Sequence, residues 1–142
     1  MTLERIGLAS VKAVLETART IAVLGVSANP DKPAHFVPLY AVQHGYNMIP
    51  VNLSLVGQTL FGQAVRSSLA EIGEAVDIVD IFRRAEVLPT HLEDILAMTP
   101  RPKLVWLQLG IRNDAFAKKL LEAGIEVVQD RCLLADHRSL GL

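Results

Sequence analysis

The sequence of 142 residues lacks the features that define several classes of protein. It has one cysteine, Cys132, so no internal disulfide can form, which fits a reducing cytoplasm. Its formal net charge is −1 and it has no basic stretch, which argues against nucleic-acid binding. Its apolar runs are far shorter than the ~20 residues of a membrane-spanning helix. We therefore expect a cytoplasmic protein that binds neither nucleic acid nor a membrane.

Composition and length predict a folded chain. Hydrophobic residues make up 51% and charged residues 20%, a balance that argues against disorder. The N-terminus, Met1 to Ala9, lacks the continuous apolar segment of a secretory signal. No linker or repeat divides the sequence, so we predict a single domain over residues 1–142, with residues 1–19 as a helical extension packed on it.

The period of hydrophobicity alternates between that of helices and that of buried strands. Ser10 is the expected N-cap of the first helix, and residues 52–67 are expected to be a loop. Strands are predicted at residues 21–24, 46–51, 76–82, 103–107 and 125–128, and helices at 11–18, 33–44, 68–72, 87–98, from Asn113 to Gly124, and 133–138.

This alternation predicts an α/β fold, because each parallel strand pair needs a crossover helix. The strands are apolar runs rather than in–out alternations, as expected where helices cover both faces of a sheet. We therefore predict a Rossmann-like, doubly wound, parallel five-stranded sheet in three layers.

Ligands of such sheets bind at the carboxyl ends of the strands. The segment after the first strand is the most informative, since it combines glycine, small polar residues and a cation before a helix. A tight turn with a cap and a solvated lysine explains it equally well. The candidate residues in this segment are Gly25, Val26, Ser27, Asn29 and Lys32.

Two common nucleotide-binding signatures are missing. The string from Gly25 to Pro30 does not match the G-x-G-x-x-G dinucleotide pattern, and Asn52 follows the second strand where an acidic residue would hold a ribose. There is no G-x-x-x-x-G-K-[ST] phosphate loop either. An NAD-dependent enzyme and a P-loop nucleotidase are therefore disfavoured.

Five segments in order resemble a known family, the small stand-alone CoA-binding proteins of bacteria and archaea. These are relatives of the CoA-binding domain of the succinyl-CoA synthetase α subunit. The segments that carry the resemblance span about residues 20 to 138 and lie at Ile21–Ser27 with Pro30 and Lys32, Gly45–Asn52, Val76–Arg84, Val105–Asn113, and Asp130–Cys132 with His137.

The resemblance implies binding of coenzyme A through its phosphorylated ADP moiety. Gly25, Ser27 and Lys32 would meet phosphate, Asn52 would line the adenosine side, and Phe82 with Arg83 would form the third edge. The family often has a small polar and a basic residue where this chain has His35 and Phe36, so His35 is expected to substitute as a donor.

Two further segments at strand ends supply candidate contacts. One of Arg83 and Arg84 is expected on the ligand, with pairing to Asp77 or Asp80 as the alternative. Asp80 is more readily explained by a cap or an ion pair than as a general base. Gln108 and Gly110 are expected either to approach the ligand or simply to form a strand-to-helix turn.

Cys132 and His137, five residues apart, are the weak candidates for catalysis. A buried thiol with a surface histidine is the alternative, and no metal site is expected because no second ligand cluster exists. We predict CoA or acyl-CoA binding without catalysis. A thiol- or acyl-transfer enzyme and a nucleotide-sensing regulatory subunit remain alternatives, as do a homodimer and a protein partner.

Overall fold

Strands and helices alternate along the chain, as its hydrophobic periodicity predicts. The computed structural model describes the backbone of residues 3–142 and the side chains of residues 10–142. Its strands are β1 (Thr20–Leu24), β2 (Asn47–Val51), β3 (Thr59–Leu60), β4 (Gln63–Ala64), β5 (Ile78–Ile81), β6 (Leu104–Leu107) and β7 (Glu126–Val128), and its helices are α1 (Leu3–Thr17), α2 (Pro33–Gln43), α3 (Leu92–Ala97), α4 (Asp114–Glu122) and α5 (Leu133–Ser139).

The main sheet has five parallel strands in the order β2-β1-β5-β6-β7. Its register places Ala22 of β1 between Ile49 of β2 and Val79 of β5. The chain runs outward from β1 to β2 and then crosses to β5 on the other side, so the strand order reverses between β1 and β5. This is where a doubly wound sheet opens a crevice for ligand.

Helices cover both faces of this sheet, because its strands are buried on both sides. On one face, Ile95 of α3 and Leu120 of α4 pack against the sheet. On the other, Leu15 of α1, Val37 of α2 and Leu133 of α5 do so. The three layers and the parallel five-stranded sheet confirm the predicted fold class.

The N-terminal helix is longer than its predicted core. It begins at Leu3, so Ser10 lies inside the helix and the prediction of Ser10 as its N-cap is wrong. Val11 and Leu15 are buried against the sheet. Residues 1 and 2, part of the predicted extension over residues 1–19, lie outside the described residues. Within residues 3–142, no helix has the length and apolar character needed to cross a membrane.

Two predicted elements differ in kind. The helix predicted at residues 87–98 begins as a 3₁₀ helix at Ala85–His91 and becomes α3 only at Leu92. Pro89 lies inside the 3₁₀ stretch and has no N–H to donate to an α-helical bond. The short helix predicted at residues 68–72 is likewise a 3₁₀ turn, Leu69–Glu71.

The predicted loop at residues 52–67 contains a 3₁₀ turn and an antiparallel hairpin of β3 and β4. Both hairpin turn residues, Phe61 (φ 54°) and Gly62 (φ 77°), have positive φ, as a type I′ turn requires. The prediction of a plain loop is therefore wrong where β3 and β4 pair. The pattern of residues did not indicate this hairpin, because each strand has only two residues and phenylalanine rarely adopts a positive φ.

Candidate functional site

Gly25 directly follows β1, at the point where the strand order reverses. Its φ is +89°, and its N–H donates to the Val51 carbonyl at 2.8 Å. A Cβ placed there would lie 2.7 Å from the carbonyl oxygen of Phe82, which is too close for any side chain. Glycine therefore lets the ends of β1 and β5 approach each other, and this approach forms the floor of the crevice.

The loop after Gly25 is tied to α2 through a proline. Pro38 lies inside α2 and has no N–H, so the carbonyl of Ala34, four residues earlier, lacks its usual helical partner. The N–H of Ser27 donates to this carbonyl at 3.1 Å. The backbone N–H of Ser27 is therefore committed, while its hydroxyl accepts from the N–H of Asn29 at 3.0 Å.

Asn29 and His35 shape this loop from within. The side-chain oxygen of Asn29 accepts from the N–H of Asp31 at 3.0 Å. The Nδ1 of His35 lies 2.7 Å from the carbonyl oxygen of Ser27, and its ring lies 5.1 Å from that of Phe61. Neither side chain lines the two cavities described below. The structure thus places both among the contacts that hold the loop.

Asn52 joins the end of β2 to the same loop. Its Nδ2 donates to the carbonyl of Val26 at 2.8 Å, and its Oδ1 accepts from the N–H of Ser54 at 2.9 Å. Both ends of the amide are therefore engaged within the protein. An acidic residue could not donate the first of these bonds, which explains why an amide stands where a ribose-binding carboxylate would otherwise lie.

Two adjoining cavities open along the carboxyl edge of the sheet and share Lys32, Ala34 and Phe82 as lining residues. The smaller, of about 360 Å³, lies over the first loop; the larger, of about 690 Å³, lies over the ends of β5 and β6. Of the predicted contacts, the smaller is lined by Gly25, Val26, Ser27, Lys32, Asn52 and Phe82, and the larger by Lys32, Phe82, Arg83, Arg84, Gln108 and Gly110.

The larger cavity has a cationic rim. Lys32, Arg83 and Arg84 line it and form no ion pair with any residue from 10 to 142. One carboxylate, that of Glu86, lies on the same wall. Burial and then the charge of Arg83 lower the pKa of His91 below its usual value. The rim therefore carries an excess of positive charge that suits an anionic ligand.

The alternative partners for these arginines are engaged elsewhere. Asp77 accepts from the N–H groups of Arg19 and Thr20 at 2.8 and 3.1 Å, at the opposite edge of the sheet. Asp80 accepts from Gln108, with its Oδ1 2.7 Å from Nε2. Neither aspartate pairs with Arg83 or Arg84 in the described residues, so both arginines line the larger cavity without either of these carboxylate partners.

The Asp80–Gln108 pair is the part of the site that the sequence did not reveal. Asp80 is 1% exposed, and its second oxygen, Oδ2, has no hydrogen-bond partner among the described residues. Burial raises the pKa of this carboxyl to about 7, against the lowering effect of the Gln108 hydrogen bond. The two residues belong to different strand ends, and only their register, which sets Asp80 beside Trp106, could have suggested the contact.

Gly110 lies where the end of β6 turns into the following loop. Its φ is +85°, and its N–H donates to the Oδ1 of Asp130 at 2.6 Å. The contact fixes the rim beside Gln108 to the end of β7. The backbone N–H of Gly110 is already hydrogen-bonded within the protein, so it is not free to donate to a ligand. Gly110 is exposed, and a ligand could contact its other backbone atoms.

Cys132 and His137 are not brought together as one reactive pair. Cys132 lines the larger cavity. His137 is buried, with Nδ1 2.7 Å from the hydroxyl of Tyr40, and burial lowers its pKa. Arg131, the residue before Cys132, forms a two-bond ion pair with Asp136, which engages its charge away from the thiol. Within residues 10–142, no three His, Cys, Asp or Glu side chains converge as a metal site would require.

Comparisons with known proteins agree with this geometry. The chain is 39% identical over 129 residues to an uncharacterized protein, YneT, of Bacillus subtilis (strain 168), a match covering 91% of this chain and 93% of that protein. A Thermus thermophilus structure, cell-free ID.343, superposes with a TM-score of 0.90 at 47% identity, covering 94% of this chain and 98% of that one. A hypothetical protein from Pyrococcus horikoshii OT3 gives 0.89 at 26% identity, covering 100% and 97%.

The most specific match is to a family rather than to a single protein. The family model described as a CoA binding domain matches residues 19–138, which contain β1 to β7 and both cavities. That span begins just before β1 and ends within α5. Because the family model covers residues 19–138 of the 142, the chain belongs to the CoA binding domain family.

Proposed function

We propose that this protein binds coenzyme A, or an acyl-CoA, through its phosphorylated ADP moiety at the carboxyl edge of the sheet, without a catalytic step of its own. The observation that carries the proposal is the pair of adjoining cavities at the strand-order reversal, with Lys32 between them and Arg83 and Arg84 on the rim. Coenzyme A has a pyrophosphate, a 3′-phosphate and a long neutral arm, and the charge and the length of this crevice suit that combination.

The phosphates are assigned to the loop after β1. Gly25 has no side chain there, and Lys32 lies at the start of α2 on the border of both cavities. The N–H of Ser27 is engaged with Ala34, so this loop meets a phosphate through the Lys32 ammonium and the Ser27 hydroxyl instead. A charge-assisted bond from a lysine is about twice as strong as a neutral one, which makes Lys32 the main determinant.

The adenosine is assigned to the smaller cavity and the pantetheine arm to the larger. Both the Nδ2 and the Oδ1 of Asn52 are hydrogen-bonded within the protein, so Asn52 shapes the wall of the smaller cavity and has no unused amide atom for the ligand. The larger cavity has apolar walls that include Phe36 and Leu109, which are 41% and 71% exposed. Exposed apolar surface of this kind is stabilised when a ligand covers it.

The alternative function, a thiol- or acyl-transfer enzyme, is favoured by one observation: Cys132 lines the larger cavity. It is disfavoured because His137, its intended base, is buried and hydrogen-bonded to Tyr40. A nucleophile needs a base within reach, and this geometry provides none from His137. The rate of Cys132 alkylation against pH separates the two functions, since an activated thiol would react rapidly below its ordinary pKa.

Titration calorimetry with CoA, dephospho-CoA, NAD and ATP tests the proposal. CoA should bind most tightly, and Lys32→Ala should weaken it by about 1–3 kcal/mol. Lys118→Ala, which removes an exposed lysine from α4 on the opposite face of the sheet, is the matched control and should leave CoA binding unchanged. Absent binding of CoA, or equal binding of CoA and dephospho-CoA, would contradict the phosphate assignment.

A further inference from the structure

A buried carboxyl, that of Asp80, is hydrogen-bonded to Gln108, one of the residues that line the larger cavity. Asp80 is 1% exposed, lies in the middle strand of the sheet and is in register with Val23 and Trp106. Its Oδ1 accepts from Gln108 Nε2 at 2.7 Å, while Oδ2 has no partner among the described residues. Gln108 is therefore the hydrogen-bonding contact through which Asp80 can affect its surroundings.

Gln108 reaches from this carboxyl to the cavity. Its Nε2 points toward Asp80, so its carboxamide oxygen, Oε1, lies on the other side of the group. Oε1 makes no hydrogen bond within residues 10–142, and it is not among their buried unpartnered atoms, which are Asp80 Oδ2 and His91 Nε2. Because Gln108 lines the larger cavity, this oxygen is open to it.

We infer that Asp80 is a positioning residue that fixes the carboxamide of Gln108, so that the larger cavity presents an acceptor selecting an N–H or O–H donor of the ligand. Without Asp80, the two ends of the amide would be free to exchange, and an N–H group could face the cavity instead. The inference rests on the proposed function. Because the proposed function assigns the pantetheine arm to the larger cavity, the donor in coenzyme A is an amide N–H or the hydroxyl of that arm.

The test is a double-mutant cycle on CoA binding, measured by calorimetry. Gln108→Leu removes the acceptor, and Asp80→Leu removes its anchor. Each should weaken CoA about tenfold, and the double variant should be no weaker than about tenfold, because Asp80 acts through Gln108. Asp80→Asn can present either an oxygen or an N–H group to Gln108, so it fixes the amide only in part and should weaken CoA less than Asp80→Leu does. Gln58→Leu, an exposed glutamine outside both cavities, is the matched control and should bind like the wild type.

A second ligand locates the donor. Adenosine 3′,5′-bisphosphate, which lacks the arm, should bind the wild type and Gln108→Leu equally. A loss of affinity for the bisphosphate as large as that for CoA would place the donor in the nucleotide and would contradict the assignment of the arm to the larger cavity.

The outcomes are distinguishable from failure of the proposed function. A wild-type protein that does not bind CoA overturns the proposed function itself. A wild type that binds CoA while Asp80→Leu binds equally well overturns the positioning role alone. A double variant about a hundredfold weaker also overturns it, because independent effects multiply. Unfolding curves of each variant check that it is folded.

Discussion

Two aspartates of the same segment, Asp77 and Asp80, have opposite environments at the two edges of the sheet. Asp77, just before β5, accepts from two backbone N–H groups and lies 4.0 Å from the ammonium of Lys103. Asp80, three residues on, has one partner and an unpartnered oxygen in the described structure. A carboxylate with all its partners stabilises a fold, whereas one that lacks them is retained at a cost in stability.

The contrast extends to the cations at each edge. At the amino edge, Lys103 faces Asp77, and Asn47 bonds to Glu74 and Gln63. At the carboxyl edge, Lys32, Arg83 and Arg84 face a cavity without a carboxylate partner in the described residues. The polar groups at the amino edge thus find partners within the protein, whereas the cations at the carboxyl edge are left for a ligand to pair with.

The largest expected effect is a pH dependence of stability caused by Asp80. In the unfolded chain its pKa is near 3.8, while in the folded protein burial raises the pKa to about 7. Between these values the native state holds one more proton than the unfolded state, so stability falls as pH rises. The contribution is fully present below about pH 4 and lost above about pH 7, a change on the order of 4 kcal/mol.

Urea unfolding of the wild type and of Asp80→Asn at several pH values measures this change. The neutral amide does not titrate, so the stability of the variant relative to the wild type should rise by that amount between pH 4 and pH 8. Parallel curves for the two proteins would show that Asp80 ionises normally, and the contrast with Asp77 would then disappear.

The next largest effect is expected at Gly25. Gly25→Ala should lower the free energy of unfolding by about 3 kcal/mol, because alanine resists a φ of +89° and its Cβ would meet the Phe82 carbonyl at 2.7 Å. Gly124→Ala is a matched control, with φ +84° but no atom within 4 Å of the added Cβ. It should lower stability by about 1 kcal/mol. Equal losses in urea unfolding would show that the close approach of β1 and β5 has no energetic consequence.

A smaller effect is expected at Asp77. Asp77→Leu leaves the N–H of Thr20, a residue 8% exposed, without its acceptor and should cost about 2 kcal/mol of unfolding free energy. Asp80→Leu at pH 8 should cost less, because the gain from removing a buried charge with one partner offsets the loss of the acceptor of Gln108. If both substitutions destabilise the protein equally, the two aspartates play the same structural role.

The fold was predictable because each local signal agreed with the same architecture. Apolar runs marked the strands, Gly45 and Gly124 marked helix ends, and Asn113 caps α4 by accepting from the N–H of Phe116 at 3.1 Å. The failures were local: Pro89 turned the start of a helix into 3₁₀ geometry, and Phe61 adopted a conformation rare for its type. Such positions are decided by tertiary contacts rather than by propensity.

The candidate site was predictable in its location but not in its contacts. The carboxyl-end rule placed Gly25, Lys32 and Arg83 on one crevice. It could not show that Ser27 donates to a carbonyl freed by Pro38, since this bond joins a loop to a helix interior. Nor could it pair Asp80 with Gln108, which are 28 residues apart and meet only through strand register.

The smallest effect compares the lysines of the two edges. Lys103 is 62% exposed and 4.0 Å from Asp77, so Lys103→Ala should cost about 0.5 kcal/mol at most. Lys32 has no carboxylate partner in the described structure, so Lys32→Ala should leave stability unchanged or raise it slightly by relieving repulsion from the nearby arginines. Urea unfolding at low and high salt measures both, because added salt weakens exposed ion pairs and repulsions alike. A clear loss of stability in Lys32→Ala without ligand would mean that this lysine supports the fold, and the amino and carboxyl edges would then differ less than their contacts indicate.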